Sequence, residues 1–125
     1  QNVEDRIEFR MGAGLEPLQQ EPAFDVITAN LPYIPDIDWE ALDENVREHE
    51  PQTALRGGSD GLEIIRPVLK GVAPHLVEGG LLVMEIDPGQ GEAVIALARE
   101  EAGLAECEIL PDEFGDLRLL RAVKP

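Results

Sequence analysis

Five segments of the chain have the apolar pattern of β-strands. Residues 6–11 alternate between polar and apolar side chains, which is typical of a strand with one buried face. Residues 24–29 and 81–86 are short runs rich in Val, Ile and Leu, and the second is nearly continuous, as expected for a strand covered on both faces. Two further strands are predicted at residues 107–110 and 117–123.

Two segments repeat apolar residues with the spacing of an amphipathic helix. The first is predicted over residues 60–76, because either Ser59 or Asp60 can cap its start and Glu63 has the spacing of a capping box. The second is predicted over residues 92–102. Strands that alternate with helices and then follow one another predict an α/β fold that ends in an antiparallel hairpin.

A corner follows the predicted strand at residues 24–29. Pro32 cannot continue a central strand, so the chain leaves the sheet near Asn30 and enters the long segment 31–61, with one short helix predicted at residues 39–46. In open α/β sheets, ligands bind at the carboxyl ends of the strands. The Asn-Leu-Pro-Tyr corner is therefore a candidate site, although a strand followed by a plain turn explains it equally well.

The charge of the chain argues against nucleic acid as a direct partner. The net charge is −16 over 125 residues, and the 10 Lys and Arg residues are scattered. Proteins that bind phosphate backbones usually carry a clustered basic patch. Solubility alone explains the acidity equally well.

The single cysteine and the absence of a long apolar run bear on where the protein works. Cys107 cannot form a disulfide within the chain and is predicted to be a buried, inert thiol, which favours a reducing, cytoplasmic compartment. No apolar run is long enough to predict a membrane span. The first residue is Gln1 rather than Met, so the chain is expected to be a fragment of a longer protein.

Further motifs follow the corner in a fixed order. They are the segment 49–62 (His-Glu-Pro-Gln-Thr-Ala-Leu-Arg-Gly-Gly-Ser-Asp-Gly-Leu), the segment 79–86 (Gly-Gly-Leu-Leu-Val-Met-Glu-Ile), Gln90, and Asp112, Gly115 and Arg118. The ordered set resembles the catalytic domain of the HemK-type glutamine methyltransferases that modify peptide-chain release factors. The resemblance covers residues 6–123.

This resemblance implies a class I, Rossmann-like fold and methylation of a release-factor glutamine with S-adenosylmethionine. Asn30 would be the catalytic residue and would bind the substrate amide through its side chain, while Leu31 would accept through its backbone carbonyl. Pro32 would fix the turn and Tyr33 would form a wall of the pocket. Asn30 and Gly14 would contact the cofactor, and no metal is implied.

Part of the family pattern is missing from the chain. No Gly-rich loop of the form Gly-x-Gly-x-Gly occurs, and Ala13 stands where the family has an acidic residue near the adenine. Residues 1–125 are therefore expected to be a partial catalytic domain, without the first two strands and the N-terminal helical domain. Such a chain should lack activity by itself. Its exposed strand edge should be covered by residues 6–11 or by a second copy in a homodimer.

Other interpretations remain open. A related enzyme could methylate a ribosomal-protein glutamine or the amino group of a nucleic-acid base, since both present a planar, delocalised nitrogen. The chain could also be a non-catalytic fragment that binds a protein partner. Gly57, Gly58 and Gly61 are interpreted as turn formers rather than substrate contacts. His49 and His75 are interpreted as histidines without a catalytic part.

Overall fold

The structure is a computed structural model that describes residues 3–39, 41–42 and 51–125. The strands and α-helices in chain order are β1 (Phe24–Asn30), α1 (Asp36–Trp39), α2 (Gln52–Leu55), α3 (Ile65–Val72), β2 (Leu76–Glu85), α4 (Gly91–Glu100), β3 (Ala105–Pro111) and β4 (Leu117–Val123). Short 3₁₀ turns lie at Glu4–Arg6, Glu16–Leu18, Ala73–His75 and Pro88–Gln90.

The strands form one mixed sheet in the order β1-β2-β4-β3. β1 and β2 are parallel and are joined by a crossover that contains α3, whereas β4 is antiparallel to both β2 and β3. This arrangement confirms the predicted α/β class and its antiparallel end. It also brings the carboxyl ends of β1 and β2 to the same edge of the sheet.

The core lies between the sheet and the two longer helices, α3 and α4. From residue 80 onward every second residue of β2 is buried, and Leu82 and Met84 lie in this core together with Ile65 and Leu69 of α3. The opposite face of the sheet is more open, and the side chain of Val26 in β1 is 53% exposed. The sheet therefore has one well-covered face and one face that solvent reaches.

The prediction of a strand at residues 6–11 is wrong. The segment forms no strand in the structure; Phe9 is 90% exposed and Met11 is fully exposed, while Arg10 forms an ion pair with Glu21. Alternation stabilises a strand only where a neighbouring strand and a packed face are available. The expected direct pairing of this segment with β1 is wrong for the same reason.

The helix predicted from residue 60 begins five residues later, at Ile65. The side chain of Asp60 accepts a hydrogen bond from the backbone N–H of Leu62 (2.9 Å), and Glu63 accepts one from the N–H of Ser59 (2.9 Å). The capping-box residues thus stabilise a turn that precedes the helix.

The other predicted strands and the helix predicted at 92–102 are present, with ends that differ by up to five residues. Prediction and structure agree at both ends of β4, and β2 begins at Leu76 rather than at residue 81. Of the short helix predicted at 39–46, Trp39 is helical, Ala41 and Leu42 lie in a turn, and residue 40 and residues 43–46 lie outside the described residues. None of the helices in the described ranges has both the length and the apolar character that a membrane span requires.

Candidate active site at the carboxyl ends of two parallel strands

Asn30 is the last residue of β1, and its partner in the parallel pair is Glu85, the last residue of β2. Partners in neighbouring strands present their side chains on the same face of a sheet. Here that face is the open one, because the alternate residues Ala29 and Met84 pack in or against the core. Asn30 is exposed, so its amide group is accessible to a ligand at this edge.

The side chain of Tyr33 is hydrogen-bonded to the end of β2. The hydroxyl donates a hydrogen bond to Oε1 of Glu85 over 2.7 Å, and the ring is half-buried. Burial, followed by this hydrogen bond and the negative charge of Glu85, raises the pKa of Tyr33 to about 12, although Arg118 acts in the opposite direction. The phenol is therefore a neutral donor at physiological pH.

The backbone of Tyr33 is held by Gln90. The Nε2 group of Gln90 donates to the carbonyl oxygen of Tyr33 (2.9 Å), while its Oε1 accepts from the backbone N–H of Asp87 (3.1 Å). Gln90 is 7% exposed and is the one buried polar side chain in the described part of the protein. Because a buried amide without partners is costly, this pair of bonds fixes the corner after β1 against the turn after β2.

Gly61 lies against both of these groups. Its φ angle is +73°, and a Cβ atom built there would collide with the carbonyl oxygen of Tyr33 and with Nε2 of Gln90. Only glycine combines this backbone conformation with such a close approach. The structure thus agrees with the interpretation of Gly61 as a residue required by the backbone.

The chain that follows Tyr33 is bound by the segment at residues 55–58. Three backbone hydrogen bonds connect them: Ile34 N–H to Leu55 O (2.9 Å), Gly57 N–H to Ile34 O (2.8 Å) and Asp36 N–H to Gly58 O (2.9 Å). The side chains of Arg56 and Asp36 add an ion pair at 2.9 Å. The segment at residues 55–58 therefore supports the corner through its backbone.

The hairpin turn between β3 and β4 lies at the same edge of the sheet. The backbone N–H of Ile86 donates to the carbonyl of Arg118 (2.8 Å), which sets the start of β4 beside the end of β2. Asp112 organises the turn by accepting from the N–H groups of Phe114 (2.8 Å) and Asp116 (3.0 Å). The motif formed by Asp112, Gly115 and Arg118 thus builds the turn next to the corner.

Gly14, predicted to contact the cofactor, lies elsewhere. It lines a cavity of about 450 Å³ between the loop before β1 and helix α3, together with Leu15, Val68 and His75. None of the residues that line this cavity belongs to the corner at Asn30–Tyr33. The structure therefore places Asn30, Leu31, Pro32 and Tyr33 together but does not bring Gly14 to them.

Glu85 and Gln90 also belong to this edge, and the sequence motifs that contain them assign no role to either residue. A carboxylate at residue 85, inside an otherwise apolar run, was the available signal for the first. Cys107 is buried as predicted, and burial raises the pKa of its thiol. His49 lies outside the described residues. Within the described ranges, no group of three or more His, Cys, Asp or Glu side chains is arranged to hold a metal ion.

Comparison with known proteins finds relatives over most of the chain. It is 40% identical over 110 residues to a release factor glutamine methyltransferase of Geobacter sulfurreducens, with 88% of this chain and 38% of the relative covered. It is 40% identical over 123 residues to that of Cereibacter sphaeroides, with 98% and 43% covered. It is 36% identical over 117 residues to that of Bacillus anthracis, with 93% and 41% covered. No protein-family model matches the chain.

These relatives confirm the resemblance inferred from the motifs. The chain spans about two fifths of the length of the curated relatives it matches. The relatives are methyltransferases by name, and the four-stranded mixed sheet is consistent with the C-terminal part of a class I methyltransferase.

Proposed function

On the premise that this chain is a relative of the release factor glutamine methyltransferases, we propose that its protein methylates a glutamine side chain of a release factor. The methyl donor in this proposal is S-adenosylmethionine. The observation that carries it is the corner after β1, where exposed Asn30 stands beside a Tyr33 that is held at both its hydroxyl and its carbonyl group.

The corner suits an amide nitrogen as the group that is methylated. This nitrogen is a weak nucleophile, because its lone pair is delocalised into the carbonyl group. We propose that this nitrogen donates two hydrogen bonds through its two N–H groups. The side-chain oxygen of Asn30 accepts one, and the backbone carbonyl of Leu31 accepts the other. They would thereby orient the nitrogen and increase its electron density, so that catalysis rests on positioning and electrostatics.

The chain contains the groups proposed to bind the substrate amide, but only part of a binding site for the methyl donor. When bound, S-adenosylmethionine supplies an electrophilic methyl group. The 125 residues contain no Gly-x-Gly-x-Gly loop, and Gly14 lines a cavity apart from Asn30. We therefore propose that residues 1–125 are part of a larger catalytic domain, and that the rest of the donor site belongs to that larger protein.

The choice of substrate rests on the relatives and on charge. The names of the relatives favour a release factor over a ribosomal protein. A net charge of −16 opposes the approach of a phosphate backbone, which disfavours a nucleic-acid base. With its single, buried Cys107 and this substrate, the protein is proposed to act in the cytoplasm.

The test uses the larger protein that contains this chain, a purified release factor and radiolabelled S-adenosylmethionine. We expect label on a glutamine, located by mass spectrometry of the release-factor peptides. Asn30→Ala should lower turnover on the order of a hundredfold or more, as expected when a preorganised group is lost. The matched control is Asp25→Ala, an exposed residue near the start of the same strand, and it should leave turnover unchanged. Normal turnover in Asn30→Ala would contradict the proposed role of the corner.

A further inference from the structure

We infer that Glu85 is a positioning residue, which holds the ring of Tyr33 in one orientation at the wall of the methyl-acceptor pocket. This inference rests on the proposed function for the pocket, but the contact itself does not. It adds a role for a residue 52 positions further along the chain, in a different strand.

The first observation is the hydrogen bond between the two side chains. At 2.7 Å from oxygen to oxygen, it joins a phenol to a carboxylate in a part-buried setting. Hydrogen bonds to an ionised acceptor are shorter and stronger than those between neutral groups. An ionised carboxylate can only accept, so the proton in this bond belongs to Tyr33.

The second observation is that the backbone of Tyr33 is fixed independently. Gln90 binds its carbonyl oxygen, and the glycine at residue 61 packs against the same carbonyl. The position of the backbone therefore does not depend on Glu85. The ring packs on one side against the hydrophobic core, and the hydrogen bond to Glu85 at its far end further restricts rotation about its side-chain bonds.

The third observation is the position of Glu85 relative to Asn30. The two residues are partners at the ends of the parallel strands β1 and β2 and share the open face of the sheet. Through Glu85, the ring of Tyr33 is thus connected to the strand position that directly neighbours the proposed amide-binding residue. Loss of the carboxylate should disturb the wall of the pocket without removing the Asn30 and Leu31 acceptors.

The contact can be tested in the 125-residue chain, because Tyr33 is its sole tyrosine. A ¹³Cζ-tyrosine label then gives one NMR resonance that reports on the phenol at neutral pH. Glu85→Leu should move this resonance toward that of free tyrosine, whereas Glu85→Gln retains an acceptor oxygen and should have a smaller effect. Glu108→Gln is the control, because Glu108 pairs with Arg121 (3.0 Å) at an exposed site. An unchanged resonance in folded Glu85→Leu would overturn the inference.

The positioning role is tested by kinetics in the larger protein. We expect Glu85→Leu to lower kcat/KM about tenfold, the loss expected for a hydrogen bond to a charged group. Glu85→Gln should retain most of the kcat/KM of the unmodified protein. In a Tyr33→Phe background, Glu85→Leu should cause little further loss, since the two residues act through one contact. Equal losses in both backgrounds would refute the role of Glu85. Absence of methyl transfer by the unmodified protein would instead refute the proposed function, and the NMR measurement would still decide the contact.

Discussion

Replacement of Gly61 by alanine should destabilise the protein more than the same change at another glycine with positive φ. At Gly61 the new Cβ would collide with the carbonyl oxygen of Tyr33 and with Nε2 of Gln90. Gly79 has a similar φ angle, +75° against +73°, but a Cβ built there meets no atom within 4 Å. The two substitutions therefore share the backbone strain, and only Gly61→Ala displaces neighbouring groups.

The expected size follows from these two contributions. A left-handed backbone costs a residue with a Cβ atom about 1–2 kcal/mol relative to glycine, and both variants carry this cost. In Gly61→Ala, separation of Gln90 from the carbonyl of Tyr33 leaves a buried donor without its partner, which costs about 1–3 kcal/mol more. We expect a loss of about 3 kcal/mol in the free energy of unfolding for Gly61→Ala and about 1 kcal/mol for Gly79→Ala.

Urea denaturation of the 125-residue chain, followed by circular dichroism, measures both losses. The m-value, which is the slope of the unfolding free energy against urea concentration, should be the same for both variants and the unmodified chain. A different m-value would indicate that the compactness of the folded or the unfolded state has changed. Equal losses for the two variants would refute the reasoning, because they would show that the corner yields to the added methyl group at no cost.

Three further predictions follow from the site and from the edge of the sheet. The 125-residue chain alone should transfer no methyl group to a release factor, and a rate comparable with that of an intact enzyme would disprove this. The free energy of unfolding should fall between about pH 10 and about pH 12, because the pKa of a tyrosine is about 10 in the unfolded chain and about 12 for folded Tyr33. Urea denaturation at a series of pH values measures this fall, and the part that is due to Tyr33 should be absent from Tyr33→Phe. A homodimer through β1, the terminal strand of the described sheet, remains a prediction. Val26→Lys should then shift the chain toward monomer in sedimentation equilibrium, and a monomer at all concentrations before the change would exclude the dimer.

The sequence predicted the elements whose signals are local. β4 was predicted with both its ends, and the strand that leads into Asn30 was placed to within one residue. In these segments the apolar run, the proline and the flanking glycines act over a few residues, so the pattern and the structure agree. The antiparallel end also followed from element order alone.

The parts that could not be predicted depend on contacts between distant residues. The segment at 6–11 has the alternation of a strand, but the pattern does not reveal whether a neighbouring strand pairs with it. Glu63 fits a capping box, yet its carboxylate binds Ser59 in a turn before the helix. The bond from Tyr33 to Glu85 joins residues 52 positions apart, a separation that periodicity does not describe.

The meeting point of Gly61, Gln90 and the carbonyl of Tyr33 has an evolutionary consequence. Three segments that are far apart in sequence share one small volume, so a change in one of them restricts the residues that the others can accept. A side chain at position 61 would meet the backbone carbonyl of Tyr33 whatever residue stands at position 90, so glycine should be retained at position 61 among related sequences. In protein engineering, position 61 should accordingly be left as glycine and kept out of any randomised library.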